Sequence, residues 1–313
     1  MPKEKKSLCI FIHFFEKQYI PYYVGVFVSE LAGFFDEVVL LSNERPLKTT
    51  PSLPNNVVIK FQQNKGYDFG RFYNFYSTIS KEDYYRIACV NDSNVLVNSL
   101  ANILKWENIV PFDFYGLIDS YEKPWFSTSS DNHHIQSHFL ILHEKAIDLL
   151  ENYFLSVEID AFFNEKNPKL LRRKVIDKWE IGLSLFMKSN GLKIGYYLDS
   201  QKITKQFNIR KDSNISHVLY QELLTLGYPL MKKRAIFDQK TGFGNNEPKW
   251  KILIRKYGNP EWNTDALIEE LDQLKNDYKQ NKRTSFVNKF ILHLQPKSIR
   301  LGENSGNDTV VND

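Results

Sequence analysis

The strongest constraint on this fold is a set of short runs rich in β-branched and aromatic residues, at 8–12, 38–41, 57–61 and 85–90. Helical patterns over about 19–34 and from Asp68 through Tyr76 lie among them. Alternation of this kind implies right-handed crossovers and a largely parallel sheet, with the loops that follow the strands gathered on one edge. That edge would hold His13, Ser42, Asn43, residues 64–70 and residues 91–94. In open α/β sheets, ligands lie beyond the carboxyl ends of the strands. Two polar clusters there, Asn64-Lys65-Gly66-Tyr67-Asp68-Phe69-Gly70 and Asn91-Asp92-Ser93, therefore mark a candidate ligand site.

The pattern continues with strands expected at 112–118, ending in Asp119 and Ser120, and at 135–142, separated by a polar loop at 127–132. Further helices are expected from near Ser99 through Trp106, over 170–188 with Gly191 closing the end, and over 216–226 with Gly227 as the stop. From about Trp250 the composition turns to charged helices, with Asn263 or Thr264 as the cap of one running through Leu267, Leu271 and Leu274. The expected organisation is one α/β domain over 1–249, a helical C-terminal extension over 250–301 and a disordered tail over 302–313. Repeats and low-complexity tracts are not evident, which sets solenoids and propellers aside.

Composition adds little that is specific. Lys and Arg number 41 against 37 Asp and Glu, and a net charge of +4 does not argue for a nucleic-acid binder, although it suits anionic small substrates or an anionic membrane surface. Cys9 and Cys89 both fall inside apolar runs, where a thiol behaves as a small buried hydrophobe, which fits a reducing compartment. No stretch approaches the roughly 20 apolar residues that span a bilayer, and Lys3-Glu4-Lys5-Lys6 leads into a strand pattern instead of a signal-peptide core. The expectation is a soluble, non-secreted, cytoplasmic protein.

Several residues have chemistry of their own. Asp92 can hold a hard divalent cation through oxygen, or can cap the next turn. Gly66 and Gly70 permit close backbone approach to a ligand, while Asn64 and Asp68 offer groups to a ribose or base; a glycine turn with Asp68 as helix cap is the structural alternative. Neither a Walker loop nor a Gly-x-Gly-x-x-Gly occurs, which argues against a nucleoside-triphosphatase and a dinucleotide oxidoreductase. His133, His134, His138 and His143 invite a zinc reading, but strand periodicity puts His134, Gln136 and His138 on one face, and no cysteine accompanies them. Glu180, beside Trp179 at the edge of a buried stripe, is a candidate general base if its carboxylate enters a cleft. Lys232, Lys233 and Arg234 can neutralise a diphosphate or anionic headgroups, or form a solvated basic loop.

Taken in order, six segments resemble the rhamnan synthesis protein F family of bacterial polysaccharide glycosyltransferases. They are residues 64–70, Val90-Asn91-Asp92-Ser93, Tyr115-Gly116-Leu117-Ile118-Asp119-Ser120, residues 134–139, Trp179-Glu180-Ile181-Gly182-Leu183-Ser184, and His217 with the stretch through Lys233. The resemblance covers roughly residues 7–236 and implies a GT-A-like, Rossmann-like fold: a mixed, mostly parallel sheet flanked by helices. It implies transfer of a sugar, with rhamnose a candidate, from a nucleotide-diphosphate donor to a growing cell-surface polysaccharide or lipopolysaccharide on the cytoplasmic side. By that resemblance Glu180 is the catalytic base. Asn64, Gly66, Asp68, Asp92, Lys232 and Lys233 bind the nucleotide sugar, and His134, Gln136 and Ser137 meet the sugar or acceptor. Asp92 and His217 would hold Mg2+ or Mn2+, although Asn91-Asp92-Ser93 supplies one carboxylate where an Asp-x-Asp motif has two.

The competing class is a non-catalytic module that binds a glycan or partner within a polysaccharide assembly complex. Release of nucleoside diphosphate from a nucleotide sugar separates the two. Apolar residues at helical spacing over 286–294, beside Lys282, Arg283, Lys289 and Lys297, are compatible with peripheral contact with an anionic inner membrane or with packing on the main domain.

Overall fold

The computed structural model describes residues 4–238 and 247–294, with side chains through Gln280. The chain forms two compact units, residues 1–270 and 271–313. The first holds a mixed sheet in the order β3-β2-β1-β4-β8-β6, with both β7 and β9 paired to β6. Strands β1 (Lys6–His13), β2 (Glu37–Asn43), β3 (Val57–Gln62) and β4 (Tyr84–Asn91) are mutually parallel. Strand β8 (Phe139–His143) runs antiparallel between β4 and β6 (Phe114–Ser120), and β9 (Ile194–Leu198) runs parallel to β6. The expected mixed, mostly parallel sheet flanked by helices is thus what the chain forms.

Burial explains why the central strands read as near-continuous apolar runs. All of β6 and all of β1 after Lys6 are buried, as a sheet covered on both faces requires. Cys9 and Cys89 are free, buried thiols within it. Helices α1 (Tyr22–Ala32), α2 (Tyr67–Tyr76), α3 (Ala101–Glu107) and α4 (Glu144–Ser156) lie close to the expected spans. Arg71 of α2 is 1% exposed and ties the carboxyl ends of two strands together: Nη1 donates to the His13 carbonyl at 2.8 Å and Nη2 to that of Leu41 at 2.6 Å.

Three elements depart from the sequence reading. The strand expected over 135–142 is two strands, β7 (His134–Ile135) and β8, interrupted by a turn at Ser137 and His138. Both pair with β6, with Ile135 opposite Asp119 and Leu140 opposite Gly116, so two residues of β6 face four of the returning chain and the excess bulges out. Alternation therefore does not set the directions of His134, Gln136 and His138. After α5 (Ile159–Phe163), the helix expected over 170–188 is a run of three segments: α6 (Pro168–Lys174) leads into a π-helical segment at Val175–Gly182 and then α7 (Leu183–Ser189). Gly191 follows at φ +77°, the left-handed conformation expected of a helix stop.

The helix expected over 216–226 breaks at Leu219 into α9 (Ile215–Val218) and α10 (Tyr220–Thr225), after α8 at Ser200–Gln206. A two-stranded antiparallel ribbon of β5 (Asn94–Leu96) and β10 (Leu230–Lys232) stands beside the main sheet. After α11 (Lys233–Phe237) and α12 (Lys249–Tyr257), α13 runs over Thr264–Leu294, and the Asn263 side chain accepts from the Ala266 N–H at 3.0 Å as its cap. Among the described residues no helix is long and apolar enough to cross a membrane. The amphipathic stretch at 286–294 lies outside the described side chains, and the tail over 302–313 lies outside the described residues.

Candidate active site

The site is assembled by the β5–β10 ribbon and the π-helical turn. The ribbon sets Lys232 opposite Asn94, and the Lys233 N–H donates to the Ser93 carbonyl at 3.0 Å. Alternation along this extended stretch then sends neighbouring lysines to different partners. Lys233 reaches Asp92, with Nζ 3.0 Å from Oδ2, whereas Lys232 lines a cavity of about 420 Å³.

On the other side, Tyr153 inserts its hydroxyl against the π-helical turn and donates to the Lys178 carbonyl. The Ser184 hydroxyl accepts from the Ile135 N–H at 3.0 Å, which fastens the following helix to β7. The wide turn buries Trp179 and Ile181 and leaves Glu180 between them at the cavity wall. His134 faces it, with Nε2 3.9 Å from Glu180 Oε1.

Glu180, His134, His217 and Lys232 therefore share one cavity, together with Arg172, Arg234, Glu122, Asn214 and Phe126. Carboxylates and cations line the same space, and Arg172 and Glu180 come from one continuous helical run. Burial, followed by the charges of Lys232, Arg234 and Arg172, pushes the His217 imidazole down to about 4, so it is neutral at physiological pH. Burial also lowers the Lys232 ammonium below its ordinary range. An anion entering this space meets the Lys232 ammonium, with the exposed guanidiniums of Arg172 and of Arg234, the latter 2.9 Å from Asp238, at its edge.

Asp92 lies at the neighbouring strand end. Although burial works against its ionisation, the Lys233 ammonium and hydrogen bonds from Lys233 and Tyr23 hold it below the usual carboxylate range. The Tyr23 hydroxyl donates to the same Oδ2 at 3.2 Å, and His13 Nε2 stands 3.7 Å away, fully buried and without a hydrogen-bond partner. Burial pushes His13 down to about 4. Burial first, and the Asp92 carboxylate second, push Asp68 up to about 6, with Arg71 and Lys233 pulling the other way.

The remaining expected residues lie elsewhere. Asn64 is exposed on its loop and does not line the cavity. Gly66 is buried and faces Gly70: a Cβ on Gly66 would stand 2.8 Å from the Gly70 Cα, and one on Gly70 2.5 Å from the Lys65 carbonyl oxygen. The pair thus serves close packing of chain on chain. Gln136 is buried beneath the cavity, where its Oε1 accepts from the Ser216 hydroxyl at 2.9 Å and its Nε2 has no partner. Ser137 is half-buried in the turn and does not line the cavity. His138 is buried against the Tyr228 hydroxyl at 2.6 Å.

The donor set does not form a protein cage for a metal ion. Among the described residues no three His, Cys, Asp or Glu side chains converge, Asp92 and His217 do not share the cavity lining, and Oδ2 of Asp92 already carries an ammonium and a phenol. Sequence reasoning did not single out Tyr23, Arg71 or Arg172. No local pattern marks them, since each acts through residues distant in the chain.

The sequence profile of the rhamnan synthesis protein F family matches residues 40–287. Virulence protein VirA of Vibrio anguillarum is 28% identical, over 58% of this chain and 63% of its own length, so the match spans less than two thirds of that relative. Distant likenesses among solved structures include a putative glucose-1-phosphate thymidylyltransferase from Bacillus anthracis in complex with a sucrose, at TM-score 0.36 and 7% identity, covering 62% of this chain and 86% of that one. Another is the glycosyltransferase GlyE of Streptococcus pneumoniae TIGR4, at TM-score 0.34 and 7% identity, covering 81% and 63%. Similarity at that level carries no argument about chemistry.

Proposed function

The chain belongs to the rhamnan synthesis protein F family, and we propose that it is a glycosyltransferase of GT-A-like fold that moves a sugar, with rhamnose a candidate, from a nucleoside-diphosphate donor to a cell-surface polysaccharide or lipopolysaccharide acceptor. One observation supports the reading: a single cavity is lined by the Glu180 carboxylate and His134 together with Lys232, Arg172 and Arg234. Glu180 takes the proton of the acceptor hydroxyl as that oxygen attacks the anomeric carbon. The bond from that carbon to the diphosphate breaks, and the cationic wall stabilises the charge on the leaving group. Asp68 in the first turn of α2, and Asp92 with Lys233 at the end of β4, contact the nucleoside and diphosphate, while His134 orients the sugar or acceptor and Gln136, buried outside the cavity lining, is assigned to it by the resemblance. Asn64, Gly66 and Ser137 are assigned to the same ligands on the resemblance alone.

A divalent cation, Mg2+ or Mn2+, with Asp92 and His217 as its assigned ligands, is the competing means of holding the diphosphate. The protein would work at the cytoplasmic face, in peripheral contact with the inner membrane through the basic amphipathic segment at 286–294; vesicles of acidic lipid that fail to retain the full chain would remove that contact.

The test is incubation with UDP-, GDP- and dTDP-sugars and a glycan acceptor, with and without metal. Nucleoside diphosphate release supports the reading. Nucleoside monophosphate release points to a sugar-phosphate transferase, and no release with glycan retained points to the binding module.

A further inference from the structure

Oδ2 of Asp92, one of the two oxygens this carboxylate could offer a donor-bound cation, is already taken. Lys233 Nζ stands 3.0 Å away and the Tyr23 hydroxyl 3.2 Å, and Nζ also lies 3.2 Å from that hydroxyl, 5.4 Å from the centre of its ring. Backbone pairing enforces the contact, because Lys233 follows directly on β10 and its N–H is bonded to Ser93, the residue after Asp92. A hard divalent ion binds carboxylate oxygen at about 2.0–2.6 Å, so at Oδ2 it would have to displace both groups, and at either oxygen it would meet the charge of the Lys233 ammonium 3.0 Å from Oδ2. The adjacent cavity meanwhile offers the Lys232 ammonium and the guanidiniums of Arg172 and Arg234, the last shared with Asp238, as cations for a diphosphate.

We infer that Lys233 occupies the cation position beside Asp92, so that this chain binds its nucleoside diphosphate through side-chain cations without a divalent metal. The inference rests on the donor reading above and goes further, since it names how the diphosphate is held. Asp92 anchors Lys233 at the strand end beside the cavity, and its own charge is balanced by that ammonium.

Calorimetric titration of the full chain with dTDP, UDP and GDP, in EDTA and again in Mg2+ or Mn2+, tests it. For each nucleotide that binds, the expected dissociation constants agree within about twofold with and without metal. Lys233→Gln should weaken binding in EDTA by about tenfold or more, and Mn2+ should restore part of it because Asp92 is then open to a cation. Electron paramagnetic resonance should show free Mn2+ in the wild-type mixture and bound Mn2+ in the variant. Wild-type binding that tightens about tenfold or more with metal overturns the inference, as does Mn2+ held by the wild-type complex. The wild-type comparison needs neither variant nor acceptor. Absence of binding by all three nucleotides under every condition overturns the donor reading itself, an outcome distinct from metal-dependent binding.

Discussion

His134 Nε2 lies 3.9 Å from Glu180 Oε1, while Nδ1 of the same ring is 2.6 Å from the Asn132 carbonyl oxygen. The carbonyl can only accept, so Nδ1 donates to it, and Nε2 is left facing the carboxylate. A proton removed from a hydroxyl in the cavity can then be shared between Glu180 and Nε2 without either group moving far.

Replacing Glu180 by Gln keeps the side-chain shape and removes the base. Sugar transfer should fall by about 10²–10⁴-fold, with nucleotide binding within about twofold of wild type by calorimetry. A lowered melting temperature with transfer intact would assign Glu180 a structural role instead.

Asp68 should make stability depend on pH in a particular direction. Its folded pKa, near 6, lies above the ordinary value of 3.8, so the unfolded chain gives up the proton first. The resulting penalty is absent below about pH 4, grows between about 4 and 6, and is full above that, at no more than roughly 2 kcal/mol for a half-buried group. Asp68→Asn should therefore raise the melting temperature at pH 7.5 and leave it unchanged at pH 4, as measured by circular dichroism. Equal shifts at both values would remove the carboxylate from the explanation.

Gly116 sits where β6 faces the bulge. A Cβ there would meet the Ile135 side chain and stand 2.5 Å from the Phe139 carbonyl oxygen, so the backbone itself must shift. Gly116→Ala should destabilise the fold by about 1–3 kcal/mol in urea unfolding and, by moving β7, should lower transfer as well. Unchanged stability would mean the bulge is looser than its geometry indicates.

Glu107 is buried between Arg86 Nη1 at 2.7 Å and His143 Nε2 at 3.1 Å, far from the cavity. Glu107→Ala leaves the buried guanidinium uncompensated and should cost about 3–5 kcal/mol, with nucleotide affinity of the remaining folded protein unaltered. Denaturant melts and calorimetry on the same preparation separate these two effects.

What the sequence disclosed follows from how local each signal was. Strands β1 to β4 are dense in Val, Ile and Phe, and they read correctly within a residue or two. Strand β9, Ile194–Leu198, carries Gly195 and two half-buried tyrosines and escaped notice, because its pairing with β6 decides its state more than its own residues do. The three-residue strands of the ribbon are too short for any period to show. Glu180, His134, His217 and Lys232 were each marked by residue type, but the ion pair of Asp92 with Lys233, across 141 positions of chain, became visible only through the ribbon that aligns them.

The π-helical turn at Val175–Gly182 amounts to one residue more than an ordinary helix would accommodate over the same rise. An extra residue of this kind is absorbed locally, so excising one from the turn would restore ordinary winding and re-aim the side chains within it, Glu180 among them, while α6 and α7 keep their facing. The carboxylate would leave His134 while the helix kept its length and most of its apolar face. The extra residue is thus what sets the Glu180 carboxylate beside His134 in the cavity.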